Sequence, residues 1–184
     1  MVAVAQQDPA CGRPRCSTSW AAARSRLRRT TGQTVRASSS VTVPVTIDRV
    51  VPHLVDLSAY PQWMPMIHSI ARDDDGDEVA WSVELRAKVG PFARSKRLRM
   101  VRTVDEQSAD AASFVFERKE RGDAPHSVWR MTVDVTSAGE STAVNIDLEY
   151  GGSLWTAGVL DRVLAGNIDA GKDAFARLVT SQTP

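Results

Sequence analysis

The sequence predicts an α+β domain, a curved antiparallel sheet of about seven strands around one long C-terminal helix, with two short helices after the first strand. Three observations carry this. Apolar and polar residues alternate in segment after segment between Val41 and Tyr150, which marks strands with one buried and one wet face. The rhythm changes to helical spacing only twice, once after the first strand and once near the C-terminus. Clusters of Gly, Pro, Asp and Ser separate the alternating runs.

In the first strand Val41, Val43, Val45 and Ile47 share a face opposite Thr42, Pro44 and Thr46, and Pro44, lacking an N–H, suits an edge. Val50, Val51, Leu54, Val55 and Leu57 recur at three-and-four spacing, so residues 48–57 read as a short helix with Asp48 as N-cap. A second helical turn is expected over 58–63, stopped by Pro65. The cleanest strand places Val79, Trp81, Val83, Leu85, Ala87 and Val89 on one face. After the Gly90-Pro91 turn, Phe92, Leu98, Met100 and Val104 share a phase that also holds Arg94, Lys96 and Arg102, so this strand is expected to bend or bulge.

Phe114 and Phe116 mark the next strand, Trp129, Met131, Val133 and Val135 another, and Val144, Ile146, Leu148 and Tyr150 the last. Arg121-Gly122-Asp123 and Ser137-Ala138-Gly139 supply turns. Residues 154–179 set Leu160, Leu164, Ile168, Gly171, Phe175 and Leu178 on one stripe of a helix of about seven turns. The apolar face of the sheet is the one surface large enough to cover that stripe.

Charge is unevenly distributed. Residues 1–38 hold seven Arg against one acid, Asp8, a charge of +6, and the rest of the chain holds 16 basic and 21 acidic residues, a charge of −5. A mildly acidic body carries no nucleic-acid footprint, so no nucleic-acid partner is expected. The first 38 residues, rich in Arg, Ser, Thr and Ala without a helical or strand period, are expected to form a disordered basic extension before a domain spanning 39–184. A transit peptide, an arm for anionic surfaces, and a start codon assigned too far upstream would share this composition. Cys11 and Cys16 both fall in the extension, so the body has no thiol for a disulfide or zinc site, which fits a reducing, cytoplasmic setting. No stretch approaches 18 consecutive apolar residues, so no membrane-spanning helix is expected and the chain reads as soluble.

Between the first and second strands stands Asp56-Leu57-Ser58-Ala59-Tyr60-Pro61-Gln62-Trp63-Met64-Pro65. Together with the element order, this stretch resembles the START-like, polyketide-cyclase superfamily, often called SRPBCC, whose members carry a similar Asp…Tyr-Pro-x-Trp segment after the first helix. Lys88-Val89-Gly90-Pro91-Phe92 is similar to a turn of the branch named after a carbon monoxide dehydrogenase subunit. The Tyr60-Pro61 region and the strand-rich middle resemble the coenzyme Q binding branch. The resemblance covers residues 39–181 and implies the helix-grip fold, with a cavity between sheet and long helix that binds lipids, polyketides, quinones or other apolar molecules. It implies no shared catalytic residue.

A curved sheet leaves a gap beneath its helix unless large side chains fill it, and apolar hollows with few polar handles are ordinary ligand sites. The candidate lining residues are Trp81, Val83, Leu85, Leu98, Met100, Phe114, Phe116, Trp129, Met131, Ile146, Leu148, Leu164 and Ile168, with plain core packing the competing reading for each. Gly166 and Gly171 cost about 1 kcal/mol each inside a helix, which close approach of a strand or of a ligand would explain. Arg102 and Tyr150 are the candidates for chemistry: a guanidinium to hold a carboxylate or polarised carbonyl, and a phenol to give a proton in an aldol-type cyclisation. Against these stand an Arg that snorkels to the rim and a Tyr whose hydroxyl meets a backbone group.

His53, His68 and His126 lack metal-ligand spacing, so no metal is expected. Asp73-Asp74-Asp75-Gly76-Asp77-Glu78 has its glycine at the fourth position where a calcium loop needs it at the sixth, and reads as a solvated turn. The basic run that starts at Arg94 and ends at Arg102 offers a surface to anionic headgroups or an acidic partner, or is simply a solvated outer face. There is no Ser/His/Asp set, phosphate-cradling loop or dinucleotide fingerprint, and no cofactor is expected. Three functions follow: binding of a small hydrophobic molecule, cyclisation or dehydration of a poly-β-ketone, and recruitment of a membrane or protein partner through the basic strand. Oligomeric state has no signature in the sequence.

Overall fold

Among the described residues the sheet has eight antiparallel strands, one more than the seven or so expected, in the spatial order β1-β2-β8-β7-β6-β5-β4-β3. The strands are β1 (Arg26–Thr30), β2 (Thr34–Val43), β3 (Ile67–Asp73), β4 (Ala80–Val89), β5 (Phe92–Gln107), β6 (Ala111–Arg118), β7 (Trp129–Ala138) and β8 (Ser141–Gly151). Two helices, α1 (Ile47–Val50) and α2 (Val159–Ser181), accompany them. This computed structural model describes residues 26–30, 34–89, 92–122, 126–151 and 159–181. Side chains are described for 34–86, 95–122, 126–151 and 166–181.

Because β2 and β3 lie near opposite ends of the sheet, the segment joining them must cross it. It does so as α1, a 3-10 turn at Val51–His53 and a second 3-10 turn at Leu57–Gln62, laid over the concave face. The expected helix over 48–57 is thus cut short, since Pro52 has no N–H for the α-helical bond. The N-cap is Thr46 rather than Asp48, and Thr46 makes no side-chain cap bond. The second turn falls where expected, with the Asp56 carboxylate accepting from the Ser58 N–H at 2.7 Å. That carboxylate also accepts from the Trp81 indole at 3.0 Å, tying the turn to β4.

Helix α2 packs against β2, β4 and the 57–62 turn. Strands β2 and β4 are five steps apart in the sheet, roughly 24 Å if flat, whereas a helix is only about 10 Å across. One helix reaches both only because the sheet curls. Gly171, Phe175 and Val179 are the buried points of its stripe, with Ile168 and Leu178 half-buried. Arg49 donates to the Val179 carbonyl at 3.3 Å and so satisfies part of the last turn of α2. Gly166 has open space where a Cβ would stand, and a Cβ at Gly171 would touch the Trp63 carbonyl at 3.4 Å.

Two expectations change at the strand level. First, the sheet takes in residues before the expected boundary at 39: Thr34 to Ser38 pair with Gly151 to Asp147 of β8, and β1 pairs with β2 at the edge. Val35 and Ala37 alternate here with Thr34, Arg36 and Ser38, but two apolar residues, one of them a small Ala, make too short a run to mark a strand, although Ala37 is buried. β2 also ends at Val43, so Pro44 follows the strand rather than sitting on an edge. Second, the expected bulge in β5 lies between Arg102 and Val104 and reverses the phase. Val104 pairs with Val115 on the convex face, while Arg102 pairs with inward Phe116.

The β7–β8 connection closes in two residues, Ala138 pairing with Ser141, and Gly139 takes φ +70°, which glycine alone adopts without strain. The Gly90-Pro91 turn lies outside the described residues. The acidic turn is exposed to solvent as expected, and arginines hold its flanks: Arg99 meets Asp73 at 2.7 Å and Glu78 at 3.0 Å, and Arg121 meets Asp73 and Asp75.

A chain starting at Ser39 loses five β2–β8 pairs, so its melting temperature should fall by roughly 5 °C or more against a chain starting at Thr34. Equal melting temperatures would return the boundary to residue 39. Burial opposes the charge on Asp56, but donors from the Ser58 N–H and hydroxyl, the Trp81 indole and Arg72 outweigh it and hold the carboxyl below its usual range. Its contribution is therefore complete above about pH 4 and is lost as pH falls through the lower folded value. Asp56→Ala should cost about 1–2 kcal/mol in urea unfolding at neutral pH, and the gap from wild type should shrink in acid.

Candidate functional site

The concave face divides into a filled end and a hollow end. At the filled end Trp81, Phe114 and Phe116 are fully buried. Trp81 stands edge-on to Phe116 at 5.8 Å and Tyr60 to Phe116 at 6.1 Å, so aromatic rings plug the space between sheet and cover. Beyond them a cavity of about 120 Å³ remains. Dry apolar cavities of about 150 Å³ accept a benzene-sized guest, so this hollow takes at least one ring or a short chain, and because it is partly open a larger guest can extend beyond it.

Nine of the thirteen expected lining residues border it: Val83 and Leu85 from β4, Leu98 and Met100 from β5, Trp129 and Met131 from β7, Ile146 and Leu148 from β8, and Ile168 from α2. Trp81, Phe114 and Phe116 do not, because they form the plug. The Leu164 side chain lies outside the described residues. The cover contributes residues that strand alternation did not address: Leu54, Leu57, Tyr60, Trp63 and Met64, with Phe175 from α2. Their signal was present in the Tyr-Pro-x-Trp stretch itself, whose two aromatic rings lie 4.6 Å apart and belong to the hollow's roof. β2 adds Ala37, Ser39 and Val41 to the wall.

Neither candidate for chemistry borders the hollow. Arg102 sits at the bulge, donating to the Val55 carbonyl at 2.7 Å and pairing with Asp105 at 2.9 Å. It ties cover to sheet and does not reach for a ligand. Tyr150 is buried behind the wall, tilted against Trp129 at 5.4 Å and packed with Val35, Met66 and Ile168. His53, His68 and His126 are dispersed over the first 3-10 turn, β3 and the β6–β7 connection, and the described residues contain no group of potential metal ligands.

Polar atoms on the wall are few. Tyr60 donates to the Leu54 carbonyl at 3.0 Å, and burial, with the charge of Asp56 adding, pushes its phenol far above the usual range. The Trp63 indole N–H and the Ser39 hydroxyl are buried and have no hydrogen-bond partner among the described residues. Such a buried unpaired donor costs about 1–3 kcal/mol. Lys172 and Asn167 border the cavity from α2. Past Leu85 and Leu98, the Ser127 hydroxyl accepts from Lys96 at 3.5 Å and Arg118 at 3.1 Å, and Arg118 also holds Glu120. Burial lowers the pKa of Lys96, with Arg118 adding and Glu120 opposing.

The fold is shared with solved structures of low sequence identity. Human StAR-related lipid transfer protein 5 superposes with a TM-score of 0.68 at 8% identity, over 85% of this chain and 86% of that one. An aromatase/cyclase from a Streptomyces species gives 0.59 at 16% identity, over 81% and 95% of the two chains. A fragment of a STAR-related lipid transfer protein from Xanthomonas axonopodis gives 0.60 at 14% identity, over 85% and 98%. Among curated proteins, none matches this sequence. The profile of one family, described as polyketide cyclase/dehydrase and lipid transport, matches residues 34–180, from the start of β2 to the last turn of α2. With that match added to the fold shared with those structures and the hollow beneath α2, the chain belongs to this family.

Proposed function

We propose that the protein is a carrier or receptor for a small hydrophobic molecule held in the hollow beneath α2, and that it works without catalysis. The observation that carries this reading is the division of the concave face: aromatic side chains fill one end, and the other stays open behind an almost wholly apolar wall. Two structural neighbours are named a lipid transfer protein and an aromatase/cyclase, and a space for an apolar molecule fits either name. Catalysis would need a proton-moving group at the wall. Arg102 and Tyr150 do not border the hollow, Tyr60 is held protonated by burial with its hydrogen on the Leu54 carbonyl, and Lys172, which does border it, is engaged within the protein.

Recruitment through the basic strand is disfavoured by its pairing. Among the described residues of that strand, Arg97 meets Glu84, Arg99 meets Asp73 and Glu78, and Arg102 meets Asp105, so these three charges are compensated within the protein. No described helix is long and apolar enough to cross a membrane. A cytoplasmic setting fits the absence of cysteine from the domain.

Uptake of the neutral dye N-phenyl-1-naphthylamine, read by fluorescence, tests the proposal. Ile146→Trp fills the hollow and should reduce uptake at least about tenfold while leaving the protein folded, since extra volume enters empty space rather than a packed core. Unchanged uptake in Ile146→Trp, or none in wild type, would remove the receptor reading. Arg102→Met should bind dye as wild type does yet lose about 1–3 kcal/mol of stability, because the Val55 carbonyl and Asp105 lose their partner.

A further inference from the structure

Of the four cations whose side chains are described on β5, three have a carboxylate: Arg97 meets Glu84, Arg99 meets Asp73 and Glu78, and Arg102 meets Asp105. Lys96 makes no ion pair among the described residues, and it is half-buried. It pairs with Leu85 and stands one inward position from Leu98, so the inward row of β5 passes directly from the hollow's wall to an ammonium. Arg118 takes the matching place on β6, next in the row after Phe114 and Phe116 and opposite Met100, with its side chain 14% exposed. Neither cation borders the hollow itself.

Both converge on one neutral atom. The Ser127 hydroxyl accepts from Arg118 at 3.1 Å and from Lys96 at 3.5 Å, the second beyond the ordinary range of about 2.7–3.2 Å. Two positive groups thus stand within two hydrogen-bond lengths of each other. Glu120 offsets one of them through the Arg118 Nε, and one positive charge is left over. A half-buried charge without a counter-ion is costly, and a hydroxyl does not supply one. Donors remain as well: further hydrogens on Lys96, the second amino group of Arg118, and the Ser127 hydrogen, whose oxygen already accepts twice.

We infer that Lys96, Arg118 and Ser127 form a second site, outside the hollow, for an anionic oxygen group, a carboxylate or a phosphate. Such a group accepts from all three side chains at once and supplies the charge that Glu120 alone does not. Two sources share this chemistry: a free small anion, and the head of an amphipathic guest that extends past Leu85 and Leu98. The inference goes beyond the receptor reading and does not need it.

The probes, added to the full chain, are inorganic phosphate, hexanoate, and hexanol as the same carbon chain without charge. The 15N-labelled Arg118 Nε signal should move with an anion and not with hexanol, a readout that needs no variant. Lys96→Met should weaken anion binding at least about tenfold, and Lys96→Arg, which keeps the charge, should retain it. Binding of phosphate identifies a free ion as the source. Binding of hexanoate without phosphate identifies the head of an amphipathic guest. Lys96→Met should melt no lower than wild type, because it removes a charge that lacks a carboxylate, and a lower melting temperature would assign Lys96 to the fold and overturn the inference. An Arg118 signal unmoved by both anions, or equal anion binding in Lys96→Met and wild type, would overturn it too. Uptake of the neutral dye by Lys96→Met should match wild type, so failure here is distinct from failure of the receptor reading.

Discussion

A single helix that must touch both β2 and β4 forces the strands between them to bend around it, and the volume inside that bend governs the rest of the molecule. Bending is compatible with an antiparallel ladder because strands twist, and because a bulge such as the one after Arg102 takes up the mismatch locally. A flatter sheet would bury less of the stripe carrying Phe175 and Val179 and would enclose nothing. The curl is therefore at once the source of apolar burial and the origin of the empty space.

That space is shared between two uses. Trp81, Phe114, Phe116 and Tyr60 stabilise the domain by packing it full, and the smaller or unbranched residues Val83, Leu98, Met100 and Met131 leave it open further along. The cover has to be held firmly over both ends. Asp56 binds it to β4 through Trp81, Arg102 binds it to β5 through the Val55 carbonyl, and Thr142 of β8 reaches the Val45 carbonyl at 2.7 Å where the chain leaves β2. Each contact is a polar side chain spent on a backbone group or cap. That explains why residues with chemical potential, Arg102 above all, turned out to serve architecture.

Much of the sheet was legible in the sequence because alternation is a direct record of one buried face, and Met131, Val133 and Val135 or Val144 and Ile146 keep it without interruption. Residues 34–38 were not legible, since the alternation of Val35 and Ala37 is only two apolar residues long and adjoins the polar run 38–40, while the pairing with β8 is made by backbone groups. Val104 was misplaced because one extra residue reverses every side chain beyond it. Of the site, the strand-borne wall could be named in advance, whereas the boundary between plug and hollow could not. Inward Phe116 and inward Met131 look alike until the distance to the opposite surface is known. The roof was missed for another reason: a 3-10 turn has no long period to read, and Tyr60 and Trp63 stood out only through a short motif.

Position 171 has a further consequence. The α2 backbone there lies close enough to the Trp63 carbonyl that a methyl group would make ordinary contact and anything larger would act as a wedge. Helix and roof meet at this seam, so the bore of the chamber is set by the bulk allowed at one residue. Related chains could resize what they admit by enlarging that side chain, with the strands left untouched.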